Sequence, residues 1–313
     1  MLDLGIIFKV VFSLLEMIRI VFLGTSDAIP SEKRNHTSLF LNYGAENILV
    51  DCGEGTQRQM RIAKINPCSI TKILITHWHG DHVLGLPGLL ESMALNGYNR
   101  KLEVYGPKGT KQFMSEIFKL FLASERISYD VHEVDGKFFE GEDFYLESEK
   151  MEHGCPINAY SFVLKEKVRI DKKKLKKYKI GDGPWLGELK KGKDIVYSGK
   201  KIKAKDLTYL QQGKKISIIM DTVFNNRITP FVKDSDLMIS ESSFLDEDAD
   251  KARTHRHLTV KQVAEVAKKA KVKQLILTHI SQRYTKSIGK VEKEAKKYFK
   301  NTKLAEDFMV LNI

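Results

Sequence analysis

Residues Ile75-Thr76-His77-Trp78-His79-Gly80-Asp81-His82 decide how this chain is read. Three histidines and one aspartate fall within six positions, directly after the apolar run 72–76, which reads as a strand. Alternate residues share a face there, so His77 and His79 point the same way. The chain then bends and brings Asp81 and His82 to the opposite side. One loop of this kind can serve two metal ions. Imidazole nitrogens and carboxylate oxygens suit zinc at about 2.0–2.2 Å, and Mn or Fe accept the same donors.

A single loop cannot complete two catalytic sites, so more ligands must come from elsewhere. His153 follows the strand-like run 144–151, Asp221 follows 216–220, and His279 follows 274–277. Each stands just past an apolar stretch, where an active-site rim forms. Alone, each would pass for a cap or a packed histidine. With His77, His79, Asp81 and His82 they make a set of seven.

Outward from these positions, short runs rich in Val, Ile, Leu and Phe alternate with helix-like stretches. Strands are expected at 18–23, 38–43, 47–51, 72–76, 102–105, 127–134, 144–151, 160–164, 216–220, 237–241, 274–277 and 308–311. Helices are expected at 55–64, 84–95, 109–122, 258–270 and 288–299. In 258–270, Val260, Val263, Ala264, Val266 and Ala267 recur at helical spacing with lysines opposite. Both halves mix strands with helices, which gives an α/β protein of two packed sheets with helices outside.

The stretch 165–215 breaks the pattern. It is crowded with lysines, from Lys172 to Lys205, and interrupted by Asp182-Gly183-Pro184-Trp185. A segment this polar does not join the main core. It reads as an insertion over about 165–210 that projects from the body, either a basic loop or a phosphate-gripping arm.

The 313 residues are 42% hydrophobic and 29% charged, the balance of a soluble globular enzyme. Cys52, Cys68 and Cys155 are too few, and odd in number, for a secreted disulfide framework, and a reducing cytoplasm fits them. The net charge of +12 favours polyanionic partners, nucleic acid before anionic membrane. Residues 1–16 are apolar but carry Asp3 and Lys9, and no cleavage site follows. They read as an extension ahead of a start at Met17, with a peripheral anchor as the alternative. The rest, 17–313, reads as one catalytic domain, and no membrane partner is expected.

The order His-x-His-x-Asp-His followed by isolated His, Asp and His resembles the metallo-β-lactamase superfamily. That resemblance implies a four-layer αβ/βα sandwich and two zinc ions, one held by His77, His79 and His153, the other by Asp81, His82 and His279, with Asp221 bridging. From Met17 onward the chain resembles the ribonuclease Z family. The carrying segments are Phe22-Leu23-Gly24-Thr25, Pro30-Ser31-Glu32-Lys33-Arg34-Asn35, Asp51-Cys52-Gly53-Glu54-Gly55-Thr56-Gln57, the metal loop running into Gly85-Leu86-Pro87-Gly88, and Leu277 to Tyr284. The implied activity is endonucleolytic removal of the 3′ trailer from precursor tRNA by water attack, leaving a tRNA 3′-hydroxyl. The implied assembly is a homodimer whose lysine-rich arm clamps RNA.

The resemblance gives Asp81 the nucleophile, His257 the leaving oxygen, and Glu241 the orientation of His257. Lys33, Arg34 and Asn35 are expected near substrate phosphates, and Gly183-Pro184 matches the turn of the family's RNA-gripping arm. Glu32 stands where lysine is usual, Val223 where arginine follows the bridging Asp-Thr, Ser240-Glu241-Ser242-Ser243 replaces His-Glu-Ala-Thr, and His257-Leu258-Thr259 replaces His-Ser-Thr. These departures touch substrate preference more than the ligands. His36, His132 and His255 read as structural, Cys52 and Cys68 as packed or loop residues, and Cys155 as no ligand. A general phosphodiesterase or other ester hydrolase of the superfamily is the alternative enzyme. A non-catalytic RNA-binding protein is the alternative of another class.

Overall fold

Strands buried on both faces divide their side chains between two cores, and that division builds the molecule. In strand Arg19–Gly24, Ile20 and Phe22 enter one cluster while Val21 and Leu23 enter another. In strand Gln274–Thr278, Ile276 faces the first cluster, and Leu275 and Leu277 face a third. The first cluster is therefore the layer between two sheets, and the other two lie beneath helices on the outside.

The computed structural model describes residues 17–121 and 127–313, so the expected extension over 1–16 lies outside the described residues. One sheet runs in the order β18 (Val310–Asn312), β1 (Arg19–Gly24), β2 (Ser38–Tyr43), β3 (Glu46–Val50), β4 (Lys72–Leu74), β5 (Leu102–Gly106) and β6 (Tyr129–Glu133). The other runs β17 (Thr302–Leu304), β16 (Gln274–Thr278), β15 (Leu237–Glu241), β14 (Lys214–Ile219), β9 (Asn158–Leu164), β8 (Phe144–Lys150) and β7 (Gly136–Glu140). β3 to β6 are parallel, as are β14 to β17, and the remaining neighbours are antiparallel.

Helices α1 (Thr56–Ile62), α2 (Gly80–Val83), α3 (Leu86–Leu95) and α4 (Thr110–Leu120) cover the first sheet. The second sheet is covered by α8 (Ile228–Phe231), α10 (Val260–Lys269) and α11 (Gly289–Tyr298), and α9 (Ala249–His255) leads into α10. This is the expected four-layer metallo-β-lactamase sandwich. Helix α10 begins at a capping box, in which the Thr259 hydroxyl accepts from the Gln262 N–H and the Gln262 side chain accepts from the Thr259 N–H. Its five expected apolar residues are all buried.

The insertion between β9 and β14 holds more structure than its lysines suggest. β10 (Lys167–Ile170) pairs with β13 (Thr208–Gln211), and β11 (Ile195–Tyr197) pairs with β12 (Lys200–Ile202). Helices α5 (Lys172–Lys177), α6 (Trp185–Lys190) and α7 (Ala204–Leu207) join them around a separate core of Leu175, Ile180, Leu189, Ile195, Ile202 and Leu207. The segment stays out of the main cores, as expected, but it buries an apolar centre of its own.

Candidate metal centre

The candidate ligands sit in loops and a short helix beyond the C-terminal ends of β4, β8, β14 and β16, and β4, β14 and β16 lie in parallel stretches of sheet, which open to ligands at that end. The loop after β4 carries His77 and His79, and α2 then starts with His79 at its N-cap and includes Asp81 and His82. His153 follows β8, Asp221 follows β14 and His279 follows β16. Two glycines let the Asp51–Gly53 turn lie flat against this loop. A Cβ on Gly53 would fall 2.3 Å from the Asp81 carbonyl oxygen, and one on Gly85 2.2 Å from that of Gly53. The close approach is closed by backbone bonds from Cys52 N–H to His82 O at 2.7 Å and from Gly85 N–H to Cys52 O at 2.9 Å.

The seven side chains fall into two groups that share one carboxylate. His77, His79, His153 and Asp221 form the first, and Asp81, His82, His279 and Asp221 the second. The two oxygens of Asp221 face different ways. Oδ2 lies 3.6 Å from His77 Nε2 and 3.8 Å from His153 Nε2, whereas Oδ1 lies 3.5 Å from His82 Nε2 and 3.2 Å from His279 Nε2. Asp81 Oδ2 is 3.3 Å from both His82 Nε2 and His279 Nε2, and His153 Nε2 is 3.3 Å from His79 Nδ1.

Most of these separations are long for hydrogen bonds. They match the edge of a tetrahedron whose centre-to-corner bonds are about 2.0–2.2 Å, an edge of roughly 3.3–3.6 Å. Two buried atoms, His77 Nε2 and Asp221 Oδ1, lack a hydrogen-bond partner. Buried polar atoms left so are costly unless something else satisfies them, and a cation in each group would do so. The donor set fits a pair of borderline divalent metals.

Protonation fits the same purpose. Burial drives the His77 pKa well below its usual value, helped by His82, and burial lowers His153 as well. Burial alone would raise Asp221, but His279, His82 and His77 around it hold it well below the usual carboxylate range. Asp81 is likewise lowered by bonds to His279 and His82 that outweigh its burial. His82 and His279 are raised against burial by Asp221, with Asp51 helping at His82 and Asp81 at His279. A cation entering there displaces protons, so its affinity falls in acid.

The other nitrogens of the rings are held from behind. His82 Nδ1 meets Asp51 Oδ2 at 2.7 Å, and Asp51 also accepts from the Thr76 N–H and hydroxyl, each at 2.7 Å. His153 Nδ1 meets the Arg256 carbonyl at 2.9 Å, and His279 Nδ1 meets the Ser243 hydroxyl at 2.9 Å. Asp51, Arg256 and His279 all take left-handed backbone conformations, with φ of 57°, 60° and 54°. Asp51, Ser243 and Arg256 carry no assignment in the sequence reading. Their signals were weak ones, an aspartate ending a strand and hydroxyl and basic residues beside expected site positions.

His257 sits over this centre. Its Nδ1 lies 2.9 Å from Glu241 Oε2, and its ring centroid is 5.3 Å from that of His153 and 5.5 Å from that of His279. Glu241 is fully buried rather than a surface carboxylate. It accepts from the Thr222 N–H at 2.7 Å and from the Ser243 hydroxyl at 2.8 Å. Burial disfavours charge on His257, yet the Glu241 carboxylate outweighs it and raises the ring to about 9.

The other residues singled out in the sequence make different contacts. Arg34 Nη1 donates to the Thr25 hydroxyl and the Ala305 carbonyl, each at 2.7 Å, so that end of its guanidinium is turned into the protein. Asn35 donates through its side chain to the Glu54 carbonyl at 2.7 Å, while Lys33 is exposed. Gly183 lies under the Trp185 indole, 2.3 Å from where its Cβ would be, and Pro184 is the N-cap of α6. Cys155 Sγ is 3.7 Å from His79 Nε2, the nitrogen turned away from the first group. His132 joins Glu103 and Asp130 in a separate cluster at the sheet edge, where Glu103 bonds His132 at 2.8 Å and Lys101 pairs with Asp130.

Known proteins resemble this chain along nearly its whole length. Ribonuclease Z of Nanoarchaeum equitans is 39% identical over 272 residues, covering 87% of this chain and 86% of that one. The crystal structure of human tRNase Z, short form, matches with a TM-score of 0.68 and 29% identity, over 94% of this chain and 98% of that one. The metallo-β-lactamase fold protein YhfI from Bacillus subtilis shares the fold, with a TM-score of 0.70 and 17% identity over 95% and 100% of the two chains. A family profile described as "Anti-Pycsar protein Apyc1" matches residues 18–172.

Proposed function

The chain belongs to the ribonuclease Z family, and on that footing we propose that it is the endoribonuclease that removes the 3′ trailer from precursor tRNA. The observation that carries the chemistry is the split of Asp221, one oxygen turned to each histidine group. In this reading His77, His79 and His153 would hold one zinc ion and Asp81, His82 and His279 a second, with Asp221 shared by the two groups. Bound there, two divalent cations supply a nucleophilic water at neutral pH and balance charge on the phosphoryl oxygens.

The protein's own groups do the rest. Asp81, held ionised by His279 and His82, orients the attacking water as a hydrogen-bond acceptor. His257, charged through Glu241, donates a proton to the leaving O3′ of the tRNA. The trailer keeps a 5′-phosphate and the tRNA ends in a 3′-hydroxyl. The lysine-rich insertion supplies a basic surface for the tRNA backbone, which is recognised by shape and charge. We extend the reading to a homodimer working in the cytoplasm. Among the described residues no helix is long and apolar enough to cross a membrane.

End mapping on a precursor tRNA with a trailer tests the activity. The expected result is a single cut that leaves a tRNA 3′-hydroxyl and a 5′-phosphorylated trailer. Hydrolysis of a small phosphodiester without any cut in the precursor would favour the general phosphodiesterase instead.

A further inference from the structure

Phe224 is an exposed aromatic ring on a fixed support. It lies three residues past Asp221 and is 53% exposed. The turn beneath it is pinned on both sides. Val223 N–H donates to the Glu152 carbonyl at 2.9 Å, and the Asn225 side chain donates to the Thr222 hydroxyl at 3.1 Å and to the Val223 carbonyl at 3.0 Å. The ring forms part of the wall of two adjoining hollows. One, of about 250 Å³, also contains His257 and Val223. The other, of about 350 Å³, is edged by Lys233, Lys269 and Lys271. All three lysines are exposed, and among the described residues none is in a salt bridge with a carboxylate.

A single exposed phenylalanine is ordinary surface. Here the ring stands on a pinned turn, lines both the hollow that contains His257 and the hollow edged by three exposed lysines, and neither hollow has room for a double helix. Aromatic platforms flanked by lysines bind single-stranded nucleotides, the ring taking a base and the lysines the phosphates. Strand polarity then decides which nucleotide binds. If His257 serves the leaving O3′, the nucleotide carrying that oxygen lies on the His257 side of the centre, where Phe224 is. We propose that Phe224 and Lys233, Lys269 and Lys271 form a subsite for the last, unpaired nucleotide of the tRNA body and the phosphates leading to it. The proposal rests on the trailer-removing reading above. It adds a stacking contact on the 5′ side of the scissile bond that is tolerant of base identity.

The test uses precursor tRNAs with an abasic site either at the last body nucleotide or at the first trailer nucleotide. Wild type is expected to lose roughly ten-fold or more in kcat/KM with the body abasic site. Phe224→Ala should lose a similar factor on intact RNA and lose nothing further on that substrate, while Phe224→Trp keeps the wild-type rate and shows that the fold is intact. The trailer abasic site should cost Phe224→Ala and wild type equally. Losses that multiply at the body position, or that merge at the trailer position, overturn the assignment while leaving trailer removal standing. The triple variant Lys233→Ala, Lys269→Ala, Lys271→Ala should show a shallower salt dependence of binding, by up to about three in the logarithmic slope, and an unchanged slope overturns the phosphate contacts. A wild-type protein that cuts no precursor at all removes the parent reading and the subsite with it.

Discussion

Replacing Asp51 by asparagine keeps the shape of a buried side chain and changes which hydrogens it offers. The carboxylate accepts three bonds of 2.7 Å, from His82 Nδ1, the Thr76 N–H and the Thr76 hydroxyl. With Nδ1 donating to Asp51, the proton a cation displaces from His82 is the one on Nε2, the atom facing Asp81, Asp221 and His279. An asparagine has one acceptor oxygen, which the Thr76 N–H can keep. Its amide hydrogens then point at His82 Nδ1, and the ring must carry its proton on Nε2 instead. Losing such an outer partner costs about ten- to hundred-fold in metal affinity, or about 1.4–2.7 kcal/mol. The fold should also lose about 1.5–3 kcal/mol for a charge-assisted bond. Competition of the metal-free protein against a chromophoric chelator reads both affinities. The expected result is selective weakening at the His82 side, with the His77 side nearly unchanged. Two wild-type affinities in a folded Asp51→Asn protein would refute the idea that Asp51 sets the His82 tautomer.

The charge on His257 predicts a pH dependence. Its folded pKa, raised to about 9 by Glu241, exceeds the ordinary value of 6.5, so the ion pair stabilises the fold fully below pH 6.5 and fades as pH rises through about 9. As proton donor to the leaving oxygen, His257 should give kcat a falling limb at or below about pH 9, since bound cations nearby pull the value down. Glu241→Gln should move that limb to lower pH, and a limb unmoved by this change contradicts the pairing. For the insertion, deleting 170–205 should weaken tRNA binding steeply in salt while leaving small-phosphodiester hydrolysis nearly intact. Leu189→Ala, which cuts into the insertion's own core, should mimic the deletion in binding without lowering the main unfolding transition, and equal loss of both activities in either variant would contradict a separate binding unit. Arg34→Ala should lower Tm through its bonds to Thr25 and Ala305, and a changed KM at unchanged Tm would make it a substrate contact instead.

The local cluster at 77–82 could be read from the sequence because its chemistry is concentrated in six residues. The four-layer sandwich was readable too, since apolar runs such as 237–241 and 274–277 form buried strands with little displacement. What escaped depends on distant partners. Asp51 matters because His82, 31 positions away, turns its Nδ1 toward it. The Glu241–Ser243–His257 network joins a strand end to a loop beyond α9, a distance no period reveals. Strand β7 was not expected, because Gly136-Lys137-Phe138-Phe139-Glu140 does not alternate cleanly. The core of the insertion is hidden in the same way, with Leu175 set among lysines and Leu189 and Leu207 each following an acidic residue in no regular apolar pattern.

Anomalous diffraction from crystals of the zinc-loaded protein tests the central claim most directly. The account predicts two peaks about 3.5–4 Å apart, one among His77, His79 and His153 and one among Asp81, His82 and His279, with Asp221 between them. A single peak, or density away from Asp221, would contradict it.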